Sequence, residues 1–209
     1  MLDADRSDIA EQVVGRRALI AGGAGLFVSA TALVANAGVA SAQVDTSTGR
    51  PVPADIYAEI CQLKANYVTA TDSLPFPGSG DRALKLYRAT YADDAESSAG
   101  YDPAKPDFLV HGPDELFQTL QAGLAPYLSS QHNVGVIHVS LSDSPKPRWQ
   151  LATITAHVLV TLVPKDGKGL VRLVATYHDE AQHRSRGRWQ VTKSFAQYLA
   201  TETAVRALP

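Results

Sequence analysis

Asp72 and His132 are the two side chains whose type and placement suit them to move a proton. Asp72 falls in the last turn of a predicted helix, at the edge of its apolar stripe, and His132 opens a β run. A histidine whose second nitrogen bonds a carboxylate is held in one tautomer and becomes a better proton acceptor. Such a pair takes a C–H or O–H proton and returns it elsewhere, which covers elimination, isomerisation and aldol-type closure without a cofactor. The same residues also fit a plainer role, as a carboxylate at a helix end and a hydrogen-bonded histidine at a strand start, and both readings stay open on the residues alone. His138 follows His132 through Val134 and Val136, and even separation along a strand puts both on one face. It is then either a second acid in a deeper pocket or a core histidine bonded to a neighbouring strand. Tyr67, Tyr87 and Tyr91 are candidates to hold a substrate oxygen, since a buried phenol needs a partner. At helical spacing they also read as ordinary core.

Other chemistries find less footing. The single cysteine, Cys61, excludes an intramolecular disulfide and sits on the apolar side of the first helix, as a buried thiol does. His157 and His178 on later strands make a metal cluster with His132 or His138 conceivable, as in a cupin-type oxygenase. No His-x-His pair accompanies them, however, and the chain carries no phosphate loop, no Gly-x-Ser-x-Gly elbow and no dinucleotide fingerprint. No metal or cofactor is therefore expected. The net charge is -2, and the densest basic stretch, His183-Arg184-Ser185-Arg186-Gly187-Arg188, is a short turn. Nucleic-acid binding needs several clustered cations and is not expected.

The elements that must position these residues begin late. Arg16-Arg17, an apolar Gly- and Ala-rich run to Ala40 and the small residues Ala40-Ser41-Ala42 read as a twin-arginine signal over residues 1–42, cleaved after Ala42. The rival reading is a membrane anchor, which the Gly and Ala content disfavours. The mature chain is expected to be periplasmic or secreted, with no stable membrane anchor. Residues 43–52 read as a flexible leader. Pro53 and Asp55 suit a helix start, and Ile56, Ile60, Leu63 and Tyr67 recur at helical spacing. Asp81 can cap a second helix that Tyr91-Ala92-Asp93-Asp94 closes, residues 96–106 read as irregular, and Phe108-Leu109-Val110 as a short strand. Gly112-Pro113-Asp114-Glu115 opens a third helix. Four alternating runs come next, 132–141, 149–163, 170–180 and 188–195, separated by turn residues. Residues 196–209 have the composition of a helical tail. The fold class is α+β, a cone-shaped curved antiparallel sheet with three N-terminal helices packed in its concave face, spanning residues 53–195.

Several phrases, in this order, carry a resemblance: Ala70-Thr71-Asp72, Leu86-Tyr87 to Tyr91-Ala92-Asp93-Asp94-Ala95, Gly112-Pro113-Asp114-Glu115-Leu116, His132, Tyr177, and Gly187-Arg188-Trp189-Gln190-Val191. The chain resembles the SnoaL-like enzymes of the nuclear transport factor 2-like superfamily over about 140 residues. The resemblance implies a pocket Asp and His working without a metal, carried over to Asp72 and His132. The supporting Lys of the dehydrochlorinase type has no counterpart, and its Arg matches Arg184 only with a shifted turn, which argues against the same substrate. The resemblance thus implies an exported, cofactor-independent lyase or isomerase for a small apolar oxygenated molecule, in a homodimer or homotrimer. A non-catalytic binding or dimerisation module of the same fold is the alternative.

Overall fold

The computed structural model describes residues 51–143, 150–184 and 187–204. The expected signal over residues 1–42 and most of the expected leader lie outside this range. Val52, at the leader's end, packs against the core.

Three helices and six strands succeed one another as α1 (Ala54–Ser73), α2 (Gly80–Thr90), β1 (Tyr91–Gly100), β2 (Phe108–His111), α3 (Gly112–Leu124), β3 (Tyr127–Asp143), β4 (Gln150–Pro164), β5 (Leu170–Arg184) and β6 (Arg188–Ala204). The strands form one curved sheet in the order β2-β1-β6-β5-β4-β3, so the expected α+β cone is the fold found. α1 lies across its inner face and buries Ile60, Leu63, Lys64, Tyr67, Ala70 and Thr71 against it. Fully burying a side chain such as Ile60 or Ile154 contributes about 1.5–3 kcal/mol each. α3 opens as its residues dictate: Pro113 stands in the first turn, and the Glu115 carboxylate accepts the His111 backbone N–H at 2.8 Å. Gly112 sits at φ +73°, where a Cβ would come 2.8 Å from the Asp93 carbonyl, so only glycine lets this helix start rest on β1.

Four expectations need correction. The sheet is mixed rather than purely antiparallel, because β1 runs parallel to β6, with Ser97 beside Ser194 and Ala99 beside Ala196. Tyr91 to Gly100 is a strand, not the end of a helix followed by irregular chain, so β1 and β2 precede the third helix. Residues 196–204 are not a helical tail. They continue β6, whose Ala204 pairs with Leu170, because a long neighbouring strand offers them a complete hydrogen-bond ladder. Finally, β3 carries a bulge between Val134 and Ile137: the spacing of three on β3 faces a spacing of two on β4, from Val158 to Ala156. The extra residue inverts the alternation. His132 points inward with Ser130 and Val134, but Ile137 and Val139 take the inward places beyond the bulge, and His138 lies on the outer face opposite Thr155.

Candidate active site

Asp72 arrives from the last turn of α1, and His132 from the first half of β3. The carboxylate receives three donors. Asp72 Oδ1 is 2.6 Å from His132 Nδ1 and accepts the Ser130 hydroxyl at 2.8 Å, while Oδ2 accepts the backbone N–H of His132 at 2.8 Å. A carboxylate only accepts, so the proton of the short contact belongs to Nδ1, and Nε2 is left with its lone pair. Among the described residues Nε2 has no hydrogen-bond partner. The His132 side chain is 5% exposed and that of Asp72 23%, so the dyad is tucked under the surface rather than open to it. Among the described residues Ser97 Oγ is the side-chain polar atom that is both sealed and unpartnered.

Around His132 the tyrosines gather. Tyr67 is the hub, with its ring centroid 6.0 Å from His132, 6.2 Å from Tyr87, 6.3 Å from Tyr91 and 5.6 Å from Tyr177, all edge to face. The Tyr67 hydroxyl lies 3.2 Å from that of Tyr177, and the Tyr87 hydroxyl 2.7 Å from Thr71 Oγ1. Burial is the main reason these phenols resist ionising. It pushes Tyr67 up to about 12, against the opposing hydrogen bonds from Tyr177 and Thr71, and raises Tyr87, Tyr91 and Tyr177 well above the usual range. The site thus presents uncharged hydroxyls at any physiological pH.

A second polar cluster lies deeper, and the residues alone did not announce it. Lys64 Nζ donates to Asp179 Oδ2 at 2.5 Å, and Ser194 Oγ donates to Asp179 Oδ1 at 2.6 Å. Both charged side chains are almost fully buried. The ammonium also stands over two rings, 4.3 Å from the centroid of Tyr177 and 5.4 Å from that of Tyr67. Signals for this cluster exist in the sequence: Lys64 interrupts an apolar helical stripe four residues after Ile60 and three before Tyr67, and Asp179 shares strand parity with Tyr177 and Ala181. Ser130 was equally readable, two positions before His132 on one face.

Of the residues singled out from sequence, Asp72, His132 and Tyr67 meet, and Tyr87 and Tyr91 pack around them; His138 does not join them. A small hollow is lined by Ile60, Leu63, Lys64, Tyr67, Thr90, Tyr91, Ile154, Asp179 and Val191. It borders the Lys64–Asp179 pair rather than the dyad, and in this conformation it has no room for a water molecule. Cys61 is half-buried on α1, and burial raises its thiol. Among the described residues no three His, Cys, Asp or Glu side chains are grouped to hold a metal ion.

Comparison with solved structures gives the same architecture. A scytalone dehydratase candidate from Novosphingobium aromaticivorans is 19% identical, with a TM-score of 0.54 over 72% of this chain and 89% of that one. Hexachlorocyclohexane dehydrochlorinase LinA-type3 from Novosphingobium barchaimii is 16% identical, with a TM-score of 0.52 over 73% and 94%. ActVI-ORFA from Streptomyces coelicolor is 20% identical, with a TM-score of 0.50 over 69% and 97%. At such identities the likeness speaks for the fold alone. No curated protein matches the chain. Residues 53–194 match the family model of the SnoaL-like domain, and the chain therefore belongs to the SnoaL-like family of the nuclear transport factor 2-like superfamily.

Proposed function

We propose that this chain is a cofactor-independent lyase or isomerase in which His132 Nε2 removes a proton from a small, largely apolar, oxygenated substrate. One observation carries the reading: a nearly buried imidazole is bonded through Nδ1 to a carboxylate that two further donors hold in place, and its other nitrogen has no partner among the described residues. Asp72 fixes the tautomer and offsets the charge that His132 acquires on taking the proton. The fold-level likeness to a dehydrochlorinase and a scytalone dehydratase candidate favours elimination among the reactions a single base can run. Tyr67, uncharged and packed beside the base, and Tyr91, packed on Tyr67, are the hydroxyls that orient a substrate oxygen. His138, on the outer face, takes no part.

One observation bears on the non-catalytic reading, a ligand-binding module: the hollow has no room for a water molecule in this conformation, so a ligand enters it only when lining side chains give way. The two readings separate by NMR in D₂O with a panel of small ring ketones, vicinal halides and alcohols. An enzyme exchanges or eliminates a substrate proton, and His132→Ala lowers that rate by about 10²–10⁴-fold with the circular dichroism unchanged. Binding without any turnover, or full turnover by His132→Ala, refutes the base.

Export by the twin-arginine route belongs to the same proposal, on the strength of Arg16-Arg17 and the Ala40-Ser41-Ala42 site. Sequencing the exported protein from its N-terminus should find Gln43 first, and replacing both arginines by lysine should stop export. Assembly as a homodimer or homotrimer is likewise proposed, and the sedimentation mass decides it.

A further inference from the structure

We infer that Lys64 is the anchor for a substrate oxygen that gains negative charge during the reaction, so that the site selects planar rings bearing an enolisable carbonyl or a weakly acidic hydroxyl. The inference rests on the dyad reading above and adds to it the group that receives the electrons.

The anchor is built from three observations. First, the ammonium is buried and carries three N–H bonds, yet the one oxygen acceptor it reaches among the described residues is Asp179. Asp179 accepts from Lys64 on one oxygen and from Ser194 on the other, so it is held in place and in turn holds the ammonium. Second, Lys64 lines the hollow together with Ile60, Leu63, Ile154 and Val191, a wall suited to an apolar ring, while Tyr67 and Tyr91 supply flat faces. A desolvated cation in such a wall attracts an oxyanion far more than a neutral oxygen. Third, Tyr67 borders both groups: Lys64 Nζ is 5.4 Å from its ring centroid and the His132 ring 6.0 Å. Base and anchor therefore both neighbour the one Tyr67 ring.

The proton-transfer step balances on these groups. The substrate C–H bond breaks, the proton goes to His132 Nε2, and the electron pair moves onto the carbonyl oxygen, which becomes an enolate bonded to a Lys64 N–H. Lys64 remains an ammonium throughout. Collapse of the enolate then expels a leaving group or takes the proton back at another carbon.

The test uses 4-nitrophenol, whose phenolate absorbs in the visible, with nitrobenzene as the control lacking the oxygen. The full chain should bind 4-nitrophenol with the phenolate spectrum at a pH where the free probe is still largely phenol. Asp179→Asn, which releases the ammonium from its carboxylate, should tighten phenolate binding by about tenfold, and the double variant Lys64→Met/Asp179→Asn, which leaves no unpaired buried charge, should weaken it by about tenfold or more. Nitrobenzene binding should follow neither change. A merely structural ion pair would not move affinity in opposite directions for the two variants. Absence of the phenolate spectrum in the parent chain, or equal phenolate binding by the double variant, overturns the anchor. The dyad is judged separately, by the D₂O exchange that His132→Ala should abolish, so either idea can fail while the other stands.

Discussion

The Asp72–His132 corner and the Lys64–Asp179 pair hang from α1 about two turns apart, yet they satisfy their charges in opposite ways. At the upper corner the carboxylate collects three donors and the imidazole keeps one nitrogen without a partner among the described residues. At the lower one the carboxylate accepts from Lys64 and Ser194, and the cation keeps its remaining donors toward rings and a small hollow. One helix thus ends on the carboxylate that holds a spare acceptor from β3, and carries spare donors in its middle. A substrate that loses a proton to the first and places charge on the second would use both at once.

The sharpest way to break this contrast is at the upper corner. Asp72→Asn keeps the shape but removes the charge that fixes the tautomer and sets an amide N–H against a donor, and turnover of the folded protein should fall by about 10²–10⁴-fold. An unchanged rate would reduce Asp72 to a helix-end carboxylate. The lower corner should respond in stability instead. Lys64→Met strands the Asp179 charge in the core and should cost about 3–5 kcal/mol in urea unfolding, with much of it restored when Asp179→Asn is added. A loss no larger in the single than in the double variant would show that the pair is not electrostatically coupled to folding.

Alkaline pH probes the tyrosines between the corners. Tyr67 ionises near 10 when unfolded and at about 12 when folded, a raised value, so its contribution is fully present below pH 10 and is lost as pH climbs through 12. The loss for Tyr67 should be on the order of 2–3 kcal/mol, and Tyr67→Phe should flatten the stability profile above pH 10 by that share. The smallest effect belongs to Ser130→Ala, which removes one of three donors to Asp72. It should lower turnover by about tenfold, in line with a hydrogen bond to a charged group worth roughly 1.5 kcal/mol.

What could be read from the residues was the order of the helices, the start of α3 at Gly112-Pro113, the four long β runs and the pairing of Asp72 with His132. What could not be read depended on neighbours far along the chain. The strand Tyr91-Ala-Asp-Asp-Ala-Glu-Ser-Ser-Ala-Gly100 is made of poor strand formers; it is a strand because β2 and β6 offer it ladders on both sides. Residues 196–204 have helical composition, and β5 overrides it by pairing as far as Leu170 with Ala204. The Lys64–Asp179 pair joins positions 115 residues apart, and a lone lysine in an apolar stripe gives no hint of which acid answers it. The misplacement of His138 had a visible cause, since Gly135 inside a strand is a common mark of a bulge.

That bulge works as a phase shifter. Upstream of it the inward positions of β3 are spent on Ser130 and His132, and downstream on Ile137 and Val139, so one strand serves as reactive wall for half its length and greasy wall for the other half. Losing a single residue there would bring the two halves back into step, rotating either the imidazole out of the interior or the two apolar side chains into water. A length change of one would therefore damage this protein more than many changes of residue type, and the spacing between Val134 and Ile137 is as much a part of the proposed machinery as the histidine itself.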